Sequence, residues 1–159
     1  MPNNMDQTDW DILRELQDDA RLSYAEIGRR VGLSSPAVQE RVRKLEDAGI
    51  IKGYSVDIDY REIGLPVLAI TRLQGLQGQS NIKQAQEIAQ TLPEIIRCYQ
   101  VTGTDEFVLH IALPSIDELE HILEPLAAFA QCITSIVIRT PIDGRIISTD
   151  NYPYLRSNK

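Results

Sequence analysis

Between Ser23 and Gly49 the chain specifies two helices with room between them only for a tight turn. Ser23 followed three residues later by Glu26 makes a capping box, in which each side chain satisfies a backbone N–H at the start of a helix. That helix is predicted to end near Val31, because Gly32 supplies the backbone conformation that stops a helix without steric cost. Ser34, Ser35 and Pro36 then open a second helix, with proline in the first turn where its missing N–H costs nothing. Val38, Val42 and Leu45 recur on one face of it, Arg41, Arg43 and Lys44 lie off that face, and Gly49 after Ala48 closes it. Two short helices joined this way form a helix-turn-helix, and the remaining elements are read around it.

Ahead of this motif, Asp9 is expected to cap a helix whose Ile12, Leu13 and Leu16 face inward. After it the apolar period changes from 3.6 to 2: Tyr54, Val56 and Ile58 alternate with Ser55 and Asp57. That pattern predicts a strand or two-stranded wing, with Tyr54 packing it onto the first helix. Residues 1–56 thus read as a winged helix-turn-helix, and residues 57–64, mixed in charge and ending in Gly64, as a linker.

From 65 to 159 the pattern is strand, helix, strand, strand, helix, strand. Val67 to Leu73 suits a strand, and Ser80 is placed to cap a helix carrying Ile82, Ala85, Ile88, Ala89 and Leu92 up to Pro93. Ile95 to Thr102 and Phe107 to Leu113 read as a hairpin turning at Gly103. Ser115 and Glu118 form a second capping box for a helix through Leu119, Ile122, Leu123 and Leu126, with a kink expected at Pro125. Ile133 to Arg139 is a further strand, and Asp143-Gly144 turns the chain toward a short fifth one at Ile146 and Ile147. The fold class is α+β: a winged helix-turn-helix followed by a ferredoxin-like βαββαβ domain with both helices on one face of an antiparallel sheet. Val67, Ala69, Val101, Val108, Ile111 and Val137 supply apolar residues for both faces, so burial of the open face by a second copy, a homodimer, is expected.

Composition narrows the function. A net charge of −7 opposes indiscriminate binding to nucleic acid. It leaves room for a local basic face: from 29 to 44, Arg29, Arg30, Arg41, Arg43 and Lys44 stand against Glu40 alone. Cys98 and Cys132 are expected to be buried free thiols in a reducing compartment, although a disulfide between them stays open. No apolar run approaches the roughly 18 residues of a membrane span, and the N-terminus lacks the pattern of a signal peptide, so a cytoplasmic address and no membrane partner are expected. His110 lies in an apolar strand and His121 beside Glu120 and Glu124, neither near a nucleophile motif. With no glycine-rich phosphate loop and no metal-spaced ligand set, an enzyme, a cofactor and a metal site are not expected.

The chain resembles the leucine-responsive and asparagine-synthesis regulator (Lrp/AsnC, or feast/famine) family of bacteria and archaea. The likeness begins at Met5, Asp6, Asp9, Ile12, Leu13, Leu16 and Gln17. It continues through Asp19, Ala20, Arg21 and Ser23, follows IGRRVGLS and SPAVQERVRKLEDAGIIKGYS to Gly64, and extends more loosely over the second domain. The resemblance implies a multimeric transcriptional regulator whose DNA-binding domain precedes a ligand-sensing, oligomerising one, with dimers assembling to tetramers or octamers. It also implies a turn of glycine, two residues, aspartate and an aromatic between the second and third strands, near an amino-acid pocket at a contact between dimers. Gly103, Thr104, Asp105, Glu106 and Phe107 occupy that turn, with Glu106 where aspartate is usual.

Two sets of site residues follow. For double-stranded DNA, the helix from Pro36 would enter the major groove N-terminal end first. Ser34 and Ser35 would cap it or touch phosphate, Gln39 and Arg43 would meet base edges, and Arg30, Arg41, Lys44 and the wing's Lys52 would meet the backbone. The plainer reading is the wet side of a surface helix, with Arg41 paired to Glu46 or Asp47 and Glu40 to Lys44. For an amino-acid effector, the candidates are Gly103, Thr104, Asp105 and Glu106, joined by Thr134 and Ser135 if their hydroxyls face the same space. The rival function is a metabolite-binding or scaffold protein with weak or lost DNA affinity.

Overall fold

The computed structural model describes residues 5–155. It divides into two compact units, one holding residues 5–56 with 142–155 and the other residues 57–141.

In the first unit, α1 (Gln7–Asp18), α2 (Tyr24–Val31) and α3 (Ser35–Asp47) enclose Ile12, Ile27, Val38 and Val42, which are fully buried, with Leu45 beside them. The N-cap of α1 is Asp6, one turn before the expected Asp9. Asp6 Oδ1 accepts the Asp9 N–H at 2.9 Å, and the Asp6 N–H donates to Asp9 Oδ2 at 3.0 Å, so Asp9 is the far half of a capping box. The Ser23–Glu26 box opens α2 as expected, and Gly32 (φ 75°) ends it. The α2–α3 turn closes through Leu33 N–H to the Gly28 carbonyl at 2.8 Å.

Two expectations fail in this unit. Tyr54 to Ile58 forms no strand, and Tyr54, Val56 and Ile58 are exposed: no strand among the described residues pairs with them to complete a ladder. Tyr54 turns to α3 instead, its hydroxyl donating to Glu46 at 2.9 Å. Nor do Ile146 and Ile147 add a strand. The tail from 142, expected to close the second domain, packs on α1 of the first unit. Gln17 binds both backbone groups of Ile147, Nε2 to the carbonyl and Oε1 from the N–H, each at 2.9 Å. Gln7 meets Thr149 at 3.3 Å, and Ser148 and Thr149 are buried. The tail's backbone is thus satisfied by an amide side chain where the alternation suggested a strand neighbour.

In the second unit a turn over 59–65 leads into β1 (Val67–Gln74), α4 (Gly78–Thr91), β2 (Ile95–Gln100), β3 (Asp105–Leu113), α5 (Glu118–Ala127) and β4 (Gln131–Ile136). The strands lie in the order β2-β3-β1-β4, all pairs antiparallel, which is the expected βαββαβ arrangement. Ala69, Leu73, Phe107, Leu109, Ile111 and Leu113 point to one side, where α4 and α5 bring Ala85, Ala89, Ile122 and Leu126. Expected caps fail on both helices. α4 starts at Gly78, before Ser80, and α5 takes Asp117 as N-cap without a side-chain bond, so Ser115 and Glu118 form no box. The other side of the sheet carries Leu68, Ile70, Arg72, Val108, His110, Ser135 and Val137, and neither helix of this unit covers it. Of the apolar residues expected to supply the two faces, Val67, Ala69 and Ile111 lie on the helix side and Val108 and Val137 on the other.

Candidate nucleic-acid interface and ligand turn

Helix α3 buries Val38, Val42 and Leu45, so at 100° per residue the positions farthest from the core are Pro36, Glu40, Arg43 and Asp47. Gln39 and Lys44 flank that stripe. All except Lys52 of the expected DNA-contacting side chains lie on α2, α3 or the turn between them, as the helix-turn-helix requires. Ser34 is the N-cap of α3 but makes no side-chain cap bond, leaving its exposed hydroxyl at a helix end whose N–H groups favour anions. Lys52 is exposed beyond α3 and makes no ion pair among the described residues.

The basic side chains are held by carboxylates. Arg30 Nη1 meets Glu15 at 2.7 Å, and Arg29 meets Glu26 at 4.0 Å. Arg41, expected to contact DNA or pair with Glu46 or Asp47, is the least exposed of the set and binds across to α1. Its Nη1 lies 2.8 Å from Asp6 and 2.7 Å from Asp9. Burial alone would raise the Asp6 carboxyl, but the Asp9 N–H and the Arg41 guanidinium hold it below its usual range. On the outer stripe Arg43 makes three hydrogen bonds to Glu40, and Lys44 stands 3.6 Å from the same carboxylate, the one helical pairing expected. The Arg43 hydrogen bonds are the main reason the Glu40 carboxyl is held low. Sequence reasoning passed over Glu40 as a site residue; its position on the outer stripe was already legible in the spacing.

The turn between β2 and β3 holds Gly103 at φ 118°, and Val101 N–H bonds the Glu106 carbonyl at 3.0 Å. Pairing jumps from Leu73–Phe107 to Gln74–Asp105, a bulge that sets two adjacent carboxylates against one residue. They differ in surroundings. Asp105 takes a hydrogen bond from Gln74 and an ion pair from Arg72 at 3.7 Å, whereas Glu106 Oε2 is buried without a hydrogen-bond partner. Thr134 and Ser135 do not act together. Thr134 bonds Thr71 at 2.8 Å on the helix side of the sheet, and Ser135 faces the other way beside Ile70. A groove of about 460 Å³ runs between α4 and β2, lined by Gln86, Gln90, Arg97, Cys98, Gln100 and Phe107, and includes none of the expected effector residues.

Cys98 on β2 is exposed and Cys132 on β4 half-buried, so the burial expected of them fails; they stand on opposite edge strands as free thiols, each pushed up by partial desolvation, which removes the disulfide alternative. Among the described residues no cluster of three or more His, Cys, Asp or Glu side chains could hold a metal, and no helix is long and apolar enough to cross a membrane.

Comparison with known proteins covers most of the chain. A model of winged helix-turn-helix DNA-binding domains matches residues 5–52, and a model of the Lrp/AsnC ligand-binding domain matches residues 69–147. The HTH-type transcriptional regulator LrpC of Bacillus subtilis is 37% identical over 133 residues, 84% of this chain and 91% of that one. Its solved structure superposes with a TM-score of 0.80 at 36% identity, covering 90% of this chain and 100% of LrpC. AsnC of E. coli follows at 0.80 and 29%, covering 91% and 99%. The regulator NMB0573 of Neisseria meningitidis, solved as a complex with L-Met, shares the fold at 0.85 and 24%, covering 94% and 99%.

Proposed function

The chain belongs to the Lrp/AsnC family of transcriptional regulators, and from that premise we propose that it is a sequence-specific, multimeric DNA-binding regulator answering to an amino acid or related small effector. The observation that carries the DNA reading is the exposed side of α3, which offers Arg43 on the outer stripe and Gln39 beside it on a short helix whose N-terminal turn is open to phosphate. Ser34 and Ser35 meet the backbone at that turn. Arg30, Lys44 and Lys52 are further backbone contacts, whereas Arg41 acts chiefly by fixing α3 to α1. One α3 reads few bases, so pairing matters: a homodimer formed through the helix-free sheet face sets two such helices about 34 Å apart on one side of the duplex. Assembly of dimers into tetramers or octamers adds sites by effective concentration.

On this reading the effector sits at the turn from Gly103 to Glu106, supported by Asp105 being already partnered while Glu106 offers a buried carboxylate oxygen that an ammonium group would satisfy. Support for the ligand class comes from the matched ligand-binding domain and from a protein of this fold bound to L-Met. Effector binding then changes DNA affinity by linkage between two sites, without chemistry.

A second reading has one observation in its favour. Arg29, Arg30, Arg41, Arg43 and Lys44 all have carboxylate partners within the chain, in a protein of net charge −7. A metabolite-binding or scaffold protein with little DNA affinity fits that pattern. Electrophoretic shift of the full chain with duplex DNA across a salt series decides. The regulator loses affinity steeply as salt rises, with a slope set by the number of phosphates met; binding that is absent or indifferent to salt sinks it. Mass measurement with and without each amino acid tests the effector separately.

A further inference from the structure

We infer that Glu40 is a positioning residue for base reading, holding Arg43 so that the end of its guanidinium faces a base edge and thereby setting sequence preference rather than affinity. The inference rests on α3 being the DNA-contacting helix. Glu40 and Arg43 both lie on the stripe farthest from Val38, Val42 and Leu45, so a groove that admits α3 admits both. A carboxylate there repels phosphate, and a helix selected only for attraction to DNA has no use for it.

The geometry suggests what it does. Arg43 Nε–H donates to Glu40 Oε2 at 3.2 Å, and Nη2–H donates to Oε1 and Oε2 at 3.0 and 2.9 Å. Glu40 therefore holds the side of the guanidinium. Nη1 makes no hydrogen bond among the described residues, and the Nη1–Nη2 end is left for a partner. That end has the two parallel donors that match O6 and N7 of guanine. Arg30 and Arg41 are held the other way, each giving Nη1 to a carboxylate. Arg43 is thus the arginine of the motif with a buttressed side and an open end. Lys44, 3.6 Å from Glu40, offsets the remaining negative charge. In water an exposed pair of this kind is weak, but a groove that excludes water strengthens it where it is needed.

The test uses the full chain, duplexes selected from a random-sequence library by the unmodified protein, and an unrelated duplex of equal length. Glu40→Ala is expected to bind the unrelated duplex more tightly and the selected one less tightly, the ratio falling roughly tenfold with the loss concentrated at one base pair per half-site. Glu40→Gln, which keeps the shape and one acceptor, falls between. Arg43→Lys keeps the charge without the fork, and adding Glu40→Ala to it should change the ratio little further. Circular dichroism and thermal melting check that each variant keeps the parent fold. If Glu40→Ala strengthens both duplexes by one common factor, leaves the ratio unchanged, or adds in full to Arg43→Lys, Glu40 is only a repulsive surface charge and the inference is overturned. If the unmodified chain selects no sequence at all, the regulator reading falls and takes this inference with it.

Discussion

At Gly28 one methyl group decides whether the turn between α2 and α3 can close. A Cβ there would sit 2.4 Å from the Leu33 carbonyl oxygen, which is backbone and cannot swing aside. Gly28→Ala is therefore expected to lower stability by about 2 kcal/mol in denaturant titration, although alanine is the better helix former. Tyr54 offers a second test. Partial desolvation of this largely exposed side chain and then the bond to Glu46 push its pKa from 10.0 to about 12. A pKa raised by folding contributes stability that is complete below the ordinary value and is lost as pH climbs through the folded one. Absorbance titration should give a phenolate midpoint near 12, moving back toward 10.0 in Glu46→Gln; an unshifted midpoint in the parent would contradict the contact. Neither residue announces its role in the sequence. Gly28 sits inside a helical pattern where glycine is merely tolerated, and Tyr54 alternates correctly for a strand that has no partner to pair with.

Helix α1 shows how a well-predicted element can hold an unpredicted contact. Its apolar spacing was plain, yet Gln17, one of the residues carrying the family likeness, binds the backbone of Ile147, 130 positions away. Gln17→Ala should release the tail while leaving the Ile12–Val42 core intact. The expected signature is several-fold faster exchange of the Ile147 amide and faster tryptic cleavage after Arg145, with little change in melting of the helices. Equal protection in parent and variant would show that the contact does not hold the tail. The four strands of the sheet were legible because alternation within each matches one buried face, and their ends moved by only a few residues, whereas the strands expected at Tyr54 to Ile58 and at Ile146 and Ile147 do not form. Helix starts were less legible: Asp6, Gln77 and Asp117 displaced Asp9, Ser80 and Ser115, since several polar residues near a helix start compete and packing chooses among them.

For the whole molecule the consequential surface is the face of the sheet opposite α4 and α5, where Leu68, Ile70 and Val108 are half-buried and no helix of their own unit covers them. A single carboxylate in a second copy's path should be decisive. Val108→Glu is expected to reduce the solution mass to that of one chain and to weaken binding to paired half-sites by about a hundredfold, while a single half-site loses little. An unchanged mass would place assembly elsewhere. The order of elements, the turn at Gly32, the buried stripe of α3 and the βαββαβ pattern all came from the sequence, because each depends on residues within a few positions of one another. Tertiary structure alone decided which carboxylate holds which arginine, that Thr134 and Ser135 part to opposite sides, and that the tail returns to α1. Those outcomes are settled by distance through space, and several chemically equivalent partners along the chain leave them undetermined until the fold chooses one.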